Sequence, residues 1–397
     1  MVACSLGSAR GLGPGSKAER SPAPRLESAG QVTGGRPLRA NSGLPGGTVT
    51  LSAVENLGLV GLSDAGSNRL FSALTGLPDP GVFESAVAIA PVPDERVDRL
   101  SAMSHSRKIV HAGFELVHIA LPPGAKPGEG LGTRFLGALR NCDAILFVLR
   151  AFDHPSVGPP DAEGDLAGLE LELVIADLAT VEGRVDRQRR AAKGDKSLLP
   201  EIAALERAHA VLEAGTPVYR SDLSADEQAL LAPCFLLTSK PHLVVVNISE
   251  DQIADADTLA VPFGADALAA CVEVEAEIAA CEPEERFEML ETFGIGESVV
   301  PRLARRAYHQ LNRRTFLTTG PDETRAWTFR AGARAPECSG VIHSDLQRGF
   351  IRAEAIDWEE LLEIGSWAKA KELNRIRLEG KDYEVRDGDV LEIRFNV

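Results

Sequence analysis

Leu57-Gly58-Leu59-Val60-Gly61-Leu62-Ser63-Asp64-Ala65-Gly66-Ser67-Asn68-Arg69-Leu70-Phe71 reads as a short apolar run, a glycine-bounded loop and the opening of a helix. Strand, loop and helix in that order are the setting of a phosphate-binding loop, where backbone N–H groups and the positive end of the helix cradle a polyphosphate. The full pattern, G-x-x-x-x-G-K-[ST], puts a lysine and then a hydroxyl directly after the second glycine. Gly61 and Gly66 stand at that spacing, but Ser67 takes the lysine position and Asn68 the Ser/Thr position. Two readings follow. One is a nucleotide site built on Gly61, Leu62, Ser63, Asp64, Ala65, Gly66, Ser67, Asn68 and Arg69. The other is a tight strand-to-helix turn with no ligand.

Around this loop the chain has 397 residues, room for two or three domains. A net charge of −16 excludes a protein that is basic as a whole and leaves nucleic-acid contact to local patches. Cys4, Cys142, Cys234, Cys271, Cys281 and Cys338 are scattered without metal spacing, which fits a reducing, cytoplasmic setting. No apolar run approaches the roughly 20 residues of a spanning helix, so no membrane association is expected. Residues 1–53 are rich in Gly, Ser, Pro and Arg and carry a net +4, leaving −20 for the rest. They lack the apolar surface to offset their ordering entropy and are expected to be disordered. A plain tail, an organellar transit peptide and a start assigned too far upstream all remain open.

Residues 54–164 and 233–314 alternate strand and helix patterns, which predicts an α/β domain with a parallel-rich sheet. Asp143–Leu149 and His242–Asn247 are continuous apolar runs suited to strands buried on both faces. Between them, residues 165–232 switch to helical spacing and predict a helical hairpin joined by a charged turn. A helix is expected near Ala265–Ala270. Residues 315–397 read as a compact α+β module ending in a hairpin of Tyr383–Val385 and Val390–Phe395 across Arg386-Asp387-Gly388-Asp389.

From about Glu55 to Val397 the chain resembles the YchF-type, Obg-related P-loop NTPases, also called Obg-like ATPases. Thr324-Arg325-Ala326-Trp327-Thr328, Gly340–Asp345, Arg348–Glu354, Leu378–Tyr383 and the ending Arg394-Phe395-Asn396-Val397 resemble the family's TGS domain, a β-grasp module. Gly128-Glu129-Gly130-Leu131-Gly132 with Arg134-Phe135-Leu136 is similar to its switch II, and the helical hairpin falls where the family carries its coiled-coil insert. The resemblance implies slow hydrolysis of ATP, often favoured over GTP, with Mg²⁺, in a monomer that contacts ribosomes or RNA.

Carried over residue by residue, the resemblance gives a mixed result. Asn247-Ile248-Ser249-Glu250 matches the family's base-reading N-x-x-E, so Asn247, Ile248 and Glu250 are the base-site candidates. A capped helix start is the competing account of that cluster. The Mg²⁺ positions fall on Asn68, on a Thr-less stretch Val82–Ala90, and on His118, where the family has the Asp of D-x-x-G; Leu121 stands in place of the glycine. His154 lies in the loop that carries the family's catalytic histidine, several residues early. Asp64 stands where the family has Asn. The expected function is therefore a nucleotide-binding, ribosome- or RNA-associated protein with weakened or lost hydrolysis. The alternatives are an active Mg²⁺-dependent ATPase with unusual ligands and an RNA-binding adaptor with no nucleotide role and no cofactor.

Overall fold

The computed structural model describes residues 56–62, 64–121, 130–154 and 157–396. The expected disordered tail of residues 1–53, Ser63 of the loop, and residues 124–129 of the glycine-rich stretch lie outside them. The described residues belong to a single compact unit.

Strands β1 (Asn56–Gly61), β2 (Ala86–Pro91), β3 (Ile109–Val110), β4 (Gly113–His118), β5 (Ala144–Arg150), β6 (His242–Asn247) and β7 (Leu268–Ala270) supply a sheet of order β2-β4-β1-β5-β6-β7, from which β3 is absent. All neighbours in it are parallel except the edge pair β2–β4. The apolar runs explain why. In β5, Ala144, Leu146 and Val148 enter one core while Ile145, Phe147 and Leu149 enter the other. Such a strand needs cover on both faces, and parallel crossover connections provide it. Helices α1 (Ser67–Thr75) and α2 (Glu95–Ser104) pack on the first face, and α3 (Thr133–Arg140) on the second.

Helices α4 (Ala162–Ala191) and α5 (Leu199–Glu213) form the expected hairpin around Val174, Val181, Val185, Leu205 and Ala208. Buried carboxylates fix the root of α4. Asp177 accepts from the amides of Leu237 and Thr238 at 2.9 and 2.7 Å, and Glu170 accepts from the Tyr219 hydroxyl at 2.7 Å.

The C-terminal part, β8 (Arg313–Thr318), β9 (Thr324–Arg330), β10 (Phe350–Asp357), β11 (Arg377–Glu379) and β12 (Asp389–Phe395), makes a second sheet of order β11-β10-β12-β8-β9-β3. Its last strand comes from the N-terminal half: Ile109 and Val110 pair in parallel with Thr324 and Arg325. One apolar core runs through both parts, from Leu57 and Leu116 to Leu317, Ile356 and Val390.

Two sequence expectations need correction. The stretch Ala265–Ala270 is rich in helix formers, yet Leu268–Ala270 is strand β7, because the free edge of β6 pairs Val245, Val246 and Asn247 with it. The local preference yields to ladder hydrogen bonds and burial on both faces. The terminal hairpin is also absent. β12 lies between β10 and β8, while Tyr383–Val385 pairs with residues 333–335 through Ala335 N–H to Tyr383 O at 2.8 Å and Val385 N–H to Ala333 O at 3.1 Å.

Candidate nucleotide site

β1 ends at Gly61, and the loop closes on itself where Ala65 N–H donates to Leu62 O at 2.9 Å. Gly66 then takes φ +82°, and a Cβ there would lie 2.6 Å from Asn247 Nδ2, so only glycine fits. α1 starts at the next residue with no side-chain cap and no acidic residue in its first turn. Its leading amides are therefore open to an anion.

Asn247 at the end of β6 ties the loop to the sheet. Its amide nitrogen donates to Ala65 O at 3.0 Å, and its amide oxygen accepts from Val272 N–H at 3.0 Å. The loop and the ends of β6 and β7 border a cleft of about 410 Å³, lined among others by Asp64, Gly66, Asn68, Arg69, His154, Asn247 and Ile248. This lies outside the carboxyl ends of the strands, where open α/β sheets hold ligands. Leu62 packs against the second core and does not line the cleft. Glu250 is exposed at the start of a short 3₁₀ helix and does not line the cleft. Ser249 caps that helix with Gln252, which is the helix-start account of this cluster; Asn247 and Ile248 line the cleft and Glu250 does not.

Three side chains in a row at the start of α1 are engaged within the protein. Ser67 is 8% exposed. His118 Nδ1 lies 2.9 Å from Glu84 O and must donate, which leaves Nε2 to accept from Ser67 Oγ at 3.2 Å. Burial pushes the His118 pKa below its ordinary value, against the raising effects of that backbone contact and of Asp79. The imidazole is thus neutral. Asn68 Nδ2 reaches both Asp79 carboxylate oxygens at 2.9 Å. Arg69 grips Glu273 with a two-pronged fork, Nε to Oε2 at 2.9 Å and a terminal nitrogen to Oε1.

A pH dependence follows. The unfolded chain protonates this histidine before the folded chain does. Stability is expected to fall as pH drops through the ordinary histidine range, roughly 7 to 6, and His118→Gln is expected to remove that part of the slope. Identical pH slopes for the two chains in urea unfolding would exclude this.

These residues do not fit a Mg²⁺ site. That ion takes oxygen ligands in near-octahedral order. Here His118 is held between Ser67 and Glu84, and Asn68 turns its NH₂ toward Asp79. Among the described residues no group of three His, Cys, Asp or Glu is placed to hold a metal. The cleft and open amides do suit a mononucleotide in size and polarity.

His154 lines the cleft from a tight loop, where Gly158 N–H donates to its carbonyl at 2.8 Å. Sequence reasoning missed what shapes that loop. Arg150, 6% exposed, donates to the carbonyls of Phe152, Gly158 and Pro159 at 2.5, 3.0 and 3.2 Å. The available signal was a charge at the end of an apolar strand. Glu273 was missed because the β7 segment was read as helix, which hid its place in the first turn of the following helix, Val272–Ala280. Glu172 of α4 was missed too; it accepts from the amides of Gly130 and Leu131 at 2.9 and 3.2 Å.

The family model YchF-GTPase_C, described as Protein of unknown function (DUF933), matches residues 314–396. A Bacillus subtilis (strain 168) protein named ribosome-binding ATPase YchF is 40% identical over 86% of this chain and 99% of its own length. Obg-like ATPase 1 of Oryza sativa subsp. japonica is 33% identical over 86% of this chain and 92% of its own. The solved structure of the Schizosaccharomyces pombe YchF GTPase superposes with a TM-score of 0.78 at 28% identity, covering 87% of this chain and 98% of that one. With relatives matched end to end at this identity, and with the fold in common, the chain belongs to the YchF family.

Proposed function

We propose that this chain is a ribosome-associated YchF protein whose nucleotide site is degenerate, binding ATP or GTP weakly and hydrolysing it slowly or not at all. The buried Ser67–His118 hydrogen bond carries the reading. It fills the positions from which the family's lysine would meet the phosphates and its aspartate would serve the metal, and it brings no charge to either. Family lysines offset charge on the transferred phosphoryl group. A phosphate held only by amides, with Asp64 on the cleft wall, lacks that attraction. The names of the bacterial relatives support the ribosome as partner, and ribosome association would place the protein in the cytoplasm. A monomer with the domain boundaries given above completes the proposal.

Calorimetric titration with ATP, with and without Mg²⁺ and with GTP alongside, tests it. The expected dissociation constant is about 1 mM, near −4 kcal/mol, and indifferent to Mg²⁺. Micromolar binding that Mg²⁺ tightens would instead favour the active ATPase, with His154 as its candidate catalytic group on the cleft wall.

A further inference from the structure

The cleft wall carries an ion pair separate from the Ser67–His118 contact. Among the described residues lining the cleft, Arg69 has the one permanent positive charge, and Asp64 and Glu273 are acidic. Arg69 stands in the first turn of α1, and Glu273 in the first turn of the helix Val272–Ala280. Asn247 sets these two helix starts side by side, through Ala65 O and Val272 N–H. Across the gap the guanidinium gives two nitrogens to the two oxygens of the Glu273 carboxylate. We propose that Glu273 determines which nucleotides the cleft accepts: by holding Arg69 it withholds that cation from the phosphates, so a nucleoside monophosphate binds as readily as the triphosphate. The inference rests on the weak-nucleotide reading above and names the ligand class of that same site.

Each phosphate beyond the first adds negative charge. A loop lysine and Mg²⁺ offset that charge where they are present. Here Ser67 and His118 bring no charge, and neither lines the cleft. The offset would have to come from Arg69. A guanidinium already forked to a carboxylate has its charge balanced, and a phosphate drawn toward it meets the Glu273 oxygens beside it. Asp79 and Glu277 add to the negative surroundings of Arg69. The start of a helix favours an ionised acid, so Glu273 keeps its charge. With Asp64, these charges leave the wall net negative. What still attracts a nucleotide is what a monophosphate already uses: the open amides of α1 and the apolar side chains of Val82, Phe152, Ile248 and Val272.

Stability does not explain the pair. The Arg69 and Glu273 side chains are 36% and 59% exposed. An ion pair that open to water contributes little to folding, and Asn247 already ties the loop to the sheet. Removing the Glu273 carboxylate therefore leaves the fold in place and changes the charge of the cleft. Arg69, released, lies on the wall beside Gly66 and Asn68, next to the amides that would hold a phosphate.

The test titrates the full chain with AMP, ADP and ATP by calorimetry, beside the variants Glu273→Ala, Glu273→Gln and Arg69→Gln/Glu273→Ala. The natural chain is expected to bind the three nucleotides within about threefold of one another, each contact with the amides being common to all. Glu273→Ala should tighten ATP about 10-fold, the worth of one charge-assisted hydrogen bond, ADP less and AMP least. The gain should not need Mg²⁺, since it runs through Arg69. Glu273→Gln, which keeps the length of the side chain and removes its charge, should shift affinity in the same order. The double variant should lose most of the gain. A natural chain that prefers ATP to AMP by more than threefold overturns the proposal. So does a Glu273→Ala chain that gains less than threefold for ATP, or a double variant that keeps the whole gain. If the folded natural and variant chains all take up no nucleotide, the nucleotide reading itself falls, and the proposal with it.

Discussion

The chain Ser67→Lys/Asn68→Thr/His118→Asp is expected to bind ATP about 100-fold more tightly than the natural chain, and only with Mg²⁺. Each change answers one feature of the site. Lysine at 67 supplies the cation that the loop lacks, threonine at 68 a metal-directed hydroxyl, and aspartate at 118 the hard oxygen that histidine cannot offer. Charge-assisted hydrogen bonds contribute roughly 1.5–3 kcal/mol each, so two regained contacts reach the stated factor. All three changes are needed together. Ser67→Lys alone removes the donor to His118 Nε2 and sets an ammonium beside a buried neutral imidazole. An ammonium that turns in to donate to Nε2 is lost to the phosphates, and one that reaches for the phosphates leaves that acceptor unpaired, at a cost of about 1–3 kcal/mol. A folded triple variant with affinity within threefold of the natural chain, by calorimetry, would remove the argument that these positions limit binding.

Asn247→Ala is expected to destabilise the fold by about 3 kcal/mol. Asn247 is 6% exposed and meets two partners that no water reaches easily, Ala65 O and Val272 N–H. Each group left unpaired costs about 1–3 kcal/mol. For a chain of this size the melting temperature should drop by roughly 4 °C. Asn247→Asp is the sharper comparison. It keeps an oxygen for Val272 N–H but sets a carboxylate oxygen against Ala65 O, so it should be no more stable than the alanine variant. If Asn247→Ala melted within 1 °C of the natural chain, the side chain would not be the tie between loop and sheet.

The fold was most legible where a single strand had to satisfy two faces. β5 and β6 show as unbroken apolar runs because alternate residues feed opposite cores. The loop after β1 was legible because two glycines and a following helix leave few other shapes. The α4–α5 hairpin showed in its period and its charged turn. Legibility failed where long-range pairing outranked local preference. Nothing within Ala265–Ala270 announces an edge of β6 waiting to be paired, and nothing near Tyr383 announces residues 333–335. In the site, the residue types at 67, 68 and 118 were readable, but their partners were not. Asp79 and Glu84 lie in the loop between α1 and β2, and Glu273 is 204 residues from Arg69. Such pairs exist only once the sheet is assembled.

The second sheet borrows β3 from the first half of the chain, and further ties cross the same border. Arg96 meets Asp387 at 2.8 Å, and Arg99 lies 5.3 Å over the Trp358 ring. A gene segment encoding only residues 315–397 would therefore carry a sheet with its outermost strand left behind and Leu317, Ile356, Leu361 and Val390 stripped of cover. Such a segment is a poor cassette for recombination. Moved by simple fusion, the C-terminal module would reach a new host without its last strand, which is written more than 200 residues upstream of the rest of its sheet.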